Sequence, residues 1–123
     1  AQVALSQTDI GVRTRKFEEA EAYYLYALRL DPMYDEALYA ISVLYVFELE
    51  RPLAAEPYLE RLLAVESRHF SGMFLLARVY VLQGRVDDAM TLYSEIVSES
   101  GDRQQVAEAK KNRLELDGAL HGS

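Results

Sequence analysis

Residues 70–97, FSGMFLLARVYVLQGRVDDAMTLYSEIV, carry the pattern that decides the fold. Leu76, Ala77 and Tyr80 recur on one helical face. Gln83-Gly84-Arg85 then interrupts, and Ala89, Tyr93, Ile96 and Val97 mark a second face. The spacing predicts two amphipathic helices joined by a tight turn. Gly84 supplies the stop of the first helix. Asp87 and Asp88 open the second, where the positive end of the helix dipole favours carboxylates.

The layout recurs upstream. Over 17–30, Phe17, Ala20, Tyr24, Ala27 and Leu28 form one helical stripe, ended by Asp31-Pro32 because proline disfavours helical geometry in the residue before it. A helix over 35–48 presents Leu38, Ile41, Leu44 and Tyr45, with Ser42 as a small neighbour. Leu49-Glu50-Arg51-Pro52 is the turn. The next helix starts near Leu53 or Ala54, with Pro57 in its first turn and Ala55, Leu59, Leu62 and Leu63 as its buried stripe. Downstream, Ser100-Gly101-Asp102 breaks the chain before a final helix over 103–116. There Val106, Ala109, Arg113 and Leu116 make a narrow inward face, and 118–123 are expected to fray. Residues 1–15, with Gly11 among them, predict only an irregular helix.

Aligning the units exposes a period. Ala20, Ala55 and Ala89 correspond, as do Tyr24, Leu59 and Tyr93, and Leu28, Leu63 and Val97, at separations of 35 and then 34. In the preceding helices Leu38 matches Met73, Ile41-Ser42 matches Leu76-Ala77, and Tyr45 matches Tyr80. A 34-residue helix–turn–helix period with small residues at fixed places resembles the tetratricopeptide repeat. The motif fits as well as the period: Phe17, Ala20, Tyr24, Ala27 and Pro32 in one unit; Met73, Leu76-Ala77, Tyr80, Gly84, Ala89 and Tyr93 in another. Departures are also present. The middle unit has one extra residue in its turn, Ser67 stands where proline is usual, and Leu62 and Ile96 replace the second alanine. Gln7-Thr8 and Gly11 occupy the core places of a first helix.

The resemblance implies an all-α solenoid of stacked antiparallel helix pairs. It would hold the second helix of a first repeat at 17–34, a second repeat at 35–69, a third at 70–101 and a capping helix at 102–120. It also implies a non-catalytic scaffold that binds a protein or peptide in a groove lined by the first helix of each pair. The groove places are Glu36, Tyr39, Ala40, Val43 and Phe47 in one unit and Ser71, Phe74, Leu75, Arg78 and Leu82 in the next. Of these Tyr39, Val43, Phe47, Phe74, Arg78 and Leu82 are the candidate peptide-binding residues. Such a surface suits an apolar or acidic-terminated peptide or helix, or packing against the chain's own ends or a second copy. A homo-oligomerisation module and a substrate-docking segment of a larger enzyme stay open as alternatives. Co-chaperone members clamp a carboxylate with Lys, Asn and Arg, but the matching places here are Leu5, Asp9, Ala40, Ser71 and Leu75, which cannot do so.

Composition narrows the function further. The net charge of −7 argues against nucleic acid, whose binding needs surplus Lys and Arg, and against an anionic membrane surface. There is no cysteine, hence no disulfide or thiolate metal site, and no apolar run long enough for direct membrane insertion. His69 and His121 stand alone, so no metal or other cofactor is expected. Glu18-Glu19 and Asp87-Asp88 are adjacent on helices and do not face each other as an acid–base pair would. Tyr23, Tyr26 and Tyr34 are free to sit at the surface. The chain opens on Ala1 without an export signal, and a cytoplasmic piece of a longer parent is the expectation.

Overall fold

A computed structural model describes residues 7–121. Leu5 and the expected irregular segment before Gln7 lie outside the described residues, as do the last two positions of the expected frayed tail. Among these described residues six α-helices follow in order: α1 Gln7–Leu30, α2 Asp35–Val43, α3 Glu56–Val65, α4 Phe70–Leu82, α5 Val86–Glu99 and α6 Arg103–His121. A π-helical turn, Leu44–Glu48, extends α2, and a 3-10 turn, Pro52–Ala55, leads into α3. There is no strand among the described residues. Each helix packs on its sequence neighbours, and α2 also touches α4, so the chain builds a two-layered stack of all-α helix pairs.

The small residues expected at the contacts are there in the second and third units, while Ala20 of α1 is only half-buried. Ser42, Ala55, Ala77 and Ala89 are fully buried, surrounded by Leu38, Ile41, Leu59, Leu76, Tyr93 and Ile96. The Ser42 hydroxyl donates to the Leu38 carbonyl at 2.7 Å, which satisfies this fully buried polar group. Leu62, bulky where alanine is usual, is accommodated from across the contact. A Cβ on Gly72 of α4 would stand 2.9 Å from the tip of Leu62, so the missing side chain on one helix makes room for the extra one on the other.

Three expectations about boundaries are corrected. Residues 7–16 form no separate segment but continue α1 as one helix of 24 residues. Gly11 costs about 1 kcal/mol in a helix but cannot end one without packing or capping to redirect the chain. The final helix runs on past Leu116 to His121. The extra residue of the middle unit lies in the last turn of its first helix. Tyr45 is five residues before Glu50, whereas Tyr80 is four before Gly84, and the surplus widens the helix so that the Leu49 amide donates to the Leu44 carbonyl at 2.9 Å. Both units then close alike, with Arg51 N–H on Tyr45 O and Arg85 N–H on Tyr80 O, each at 2.8 Å.

A second repeated device ties each unit to the one before it. The Tyr45 hydroxyl donates to Glu21 of α1 at 2.7 Å, while Arg51 lies over the Tyr45 ring and pairs with the same glutamate at 3.4 Å. One period later the Tyr80 hydroxyl donates to Glu60 of α3 at 3.0 Å, and Arg85 stacks on the Tyr80 ring at 4.1 Å and pairs with Glu56. Gln83 donates to Glu56 as well, and that contact, followed by Arg85, holds the Glu56 carboxyl below its usual range. Burial first, then the carboxylate partner, pushes both phenols up, Tyr80 to about 12 and Tyr45 further.

Two outcomes follow from these local structures. Glu50 holds a left-handed conformation (φ 52°) where the next unit uses Gly84 (φ 77°). Glu50→Gly should therefore raise the urea midpoint, and Gly84→Ala should lower stability by about 1 kcal/mol. The two tyrosines keep their protons more tightly when folded. The stability they contribute is complete below the unfolded phenol pKa near 10 and is lost as pH rises towards 12. Unfolding curves between pH 8 and 11.5 should show that decline, and the Tyr45→Phe, Tyr80→Phe double variant should flatten it.

Candidate functional site

One face of the stack is a groove of about 630 Å³ between α2, α4 and α6. Its floor comes from α4, where a residue every three or four positions points the same way: Ser71, Phe74, Leu75, Arg78, Val81 and Leu82. Tyr39 and Phe47 come from α2 and its π turn, and Tyr93 of α5 closes the bottom. The Phe74 ring packs against Tyr93 at 6.1 Å, so Phe74 belongs partly to the core and partly to the surface. Phe47 and Leu82 are 52% and 58% exposed, which leaves apolar surface open at the mouth.

The groove gathers most, but not all, of the expected residues. Tyr39, Phe47, Phe74, Arg78 and Leu82 line it together. Val43 does not. It is half-buried and packs on the core, although it stands four residues from both Tyr39 and Phe47. Glu36 and Ala40 also lie off the lining, with Glu36 accepting from the Tyr34 hydroxyl at 3.0 Å. Arg78 is not a free cation, because its guanidinium sits 5.3 Å over the Phe47 ring.

The far wall comes from the chain's own C-terminal helix, one of the covers expected for this surface. Glu108, Asn112, Glu115 and Leu116 of α6 line it, so the capping helix also completes the groove. Its placement follows from sequence. Asp102 accepts from the amides of Gln104 and Gln105 at 2.8 and 3.2 Å, which starts the helix sharply. Ala109, fully buried, lets α6 lie close on α5, and Arg113 reaches Ser94 at 3.3 Å. The 3.6-residue period then turns 108, 112 and 115 inward.

His69 has a structural duty. It caps α4, with Nδ1 accepting from the Gly72 amide at 2.9 Å, and its ring packs on Tyr39 at 4.8 Å. The same imidazole therefore fixes the start of the floor helix and one residue of the rim. No cluster of His, Asp and Glu able to hold a metal occurs among the described residues. No described helix is long and apolar enough to cross a membrane.

The tetratricopeptide repeat family model matches residues 43–104, half of the chain. The chain belongs to the tetratricopeptide repeat family. It is also similar to Protein O-mannosyl-transferase Tmtc3 of Drosophila melanogaster, at 30% identity over 82 residues. That match covers 66% of this chain but 9% of the relative, so the chain spans a small fraction of the relative's length. Repeats of this family are interaction scaffolds and generally non-catalytic.

The cap on the floor helix can be tested alone. His69→Ala should cost about 1 kcal/mol in chemical denaturation, and His69→Asn, which restores an acceptor at the cap, should recover most of it.

Proposed function

We propose that this chain binds a peptide or helix of another protein in the α2–α4–α6 groove and performs no catalysis itself. The observation that carries the reading is the exposed apolar rim of Phe47 and Leu82 above a floor already fixed by packing. Stack and groove use different residues: Leu76, Ala77, Tyr80 and Ala89 are spent in the interior, while Arg78 and Leu82 face outward. A floor of packed helices is ordered before any ligand arrives, so a bound peptide loses its own freedom but imposes little reorganisation on its receptor. An apolar face presented at helical or extended spacing fits such a trough.

A second reading has its own support. The similar protein is named a protein O-mannosyl-transferase and is far longer than this chain. In that light the groove would be a docking segment that holds a protein substrate for a catalytic domain elsewhere in a longer polypeptide. Both readings use the same surface. Self-association would add a further surface: Tyr23, Tyr26 and Leu30 of α1 form a stripe at helical spacing, 69%, 59% and 72% exposed.

Leu82→Asn combined with Phe47→Asn should reduce capture of partner protein from cell extract at least tenfold. Both side chains are exposed, so circular dichroism should show unchanged helicity. Undiminished capture places recognition elsewhere. Tyr23→Lys with Tyr26→Lys should leave capture intact and, if α1 pairs with a second copy, convert a sedimenting dimer to monomer.

A further inference from the structure

The charge pattern of the groove names the chemistry of its occupant. Two carboxylates, Glu108 and Glu115, stand on the α6 wall, against one cation, Arg78, on the floor. Neither glutamate is paired with a cation among the described residues, whereas Arg78 is occupied over Phe47. The two glutamates are seven residues apart, two turns of one helix face, or about 10 Å along the axis. Between and beneath them lie Asn112 and Leu116, with Phe74 and Leu75 across the floor. Burial raises the pKa of the Tyr93 phenol at the bottom of the groove, Glu108 and Glu115 add to that rise, and Asn112 and Arg78 oppose it.

We propose that the groove selects a peptide in which an apolar anchor is joined to a Lys or Arg within about one helical turn. The anchor would rest on Phe74 and Leu75 beside Phe47 and Leu82. The cation would lay its aliphatic stem along Leu116 and place its charged head between Glu108 and Glu115. An acidic peptide end meets the opposite: two carboxylates it cannot neutralise and one guanidinium already stacked. The chain's net charge of −7 adds a long-range pull of the same sign on basic partners. This proposal rests on the groove being the recognition surface, and its test separates the two claims.

Randomised twelve-residue peptides displayed on phage are selected against the intact chain, and the enriched sequences are resynthesised with a fluorescent label. The expected result is enrichment of Lys and Arg next to Leu, Phe or Tyr. Exchanging the basic residues for Glu should weaken binding at least tenfold at 50 mM salt, with a smaller difference at 500 mM as the charges are screened. Glu108→Gln with Glu115→Gln should remove most of that discrimination while retaining the apolar part of the affinity. Enrichment of acidic or neutral peptides that still lose binding with Leu82→Asp overturns the charge preference and leaves the groove reading standing. Enriched peptides indifferent to Leu82→Asp and to Phe47→Asp overturn both. No enrichment over an unrelated control protein overturns the peptide proposal. A dimer that Leu82→Asp dissociates assigns the groove to a second copy and also overturns it.

Discussion

Ser42, Ala55, Ala77 and Ala89 sit fully buried at the contacts between successive helices, and the closeness they permit sets the geometry of the whole stack. With larger residues at those places the helices would stand further apart, and Leu38, Leu59, Leu76 and Ile96 would no longer fill the space between them. Where the pattern is broken, the far side compensates, as Gly72 does for Leu62. The Tyr–Glu–Arg clasps then join unit to unit at the rim. Their ion pairs are partly exposed and individually worth little. The tyrosine hydroxyls contribute more to specificity, because a buried phenol without its carboxylate acceptor would be left unsatisfied.

Close packing in the stack is what frees one face for recognition. The interior residues of α4 and the groove residues of α4 alternate along the same thirteen-residue helix. Rigidity on one side therefore positions the other, and Phe74, which touches Tyr93 below and lines the groove above, links the two. His69 joins the same arrangement at the helix start, through its cap and its contact with Tyr39. The C-terminal helix serves the stack and the site together, since the face that does not pack on α5 carries the acidic wall.

Period and residue type made the stack legible from sequence. Leu76, Ala77, Tyr80, Ala89 and Tyr93 were expected inside and are all buried, and the family follows from the same places. Other features depend on tertiary context. The surplus residue between Tyr45 and Ala55 could be counted, but only the folded chain places it in a π turn rather than a longer loop. Gly11 suggested a break where nothing competes with the helix. Val43 shares the helical register of Tyr39 and Phe47, so spacing alone places it in the groove, whereas its half-buried side chain packs on the core. Packing of the chain's end against the groove is among the sequence expectations, but the individual wall residues are not, because Glu108, Asn112 and Glu115 read as the solvated face of a capping helix, and polar residues give no periodic signal when they line a site.

The account's central claim is that recognition occurs in the α2–α4–α6 groove. Amide chemical-shift mapping of the isotopically labelled chain, titrated with a basic peptide that binds it, tests this most directly. The predicted result is a continuous set of shifted resonances from Phe74, Arg78 and Leu82 on α4 across to Asn112 and Leu116 on α6, with α1 unaffected. Shifts confined to Tyr23, Tyr26 and Leu30 on α1, with the α4 and α6 resonances unmoved, would contradict it.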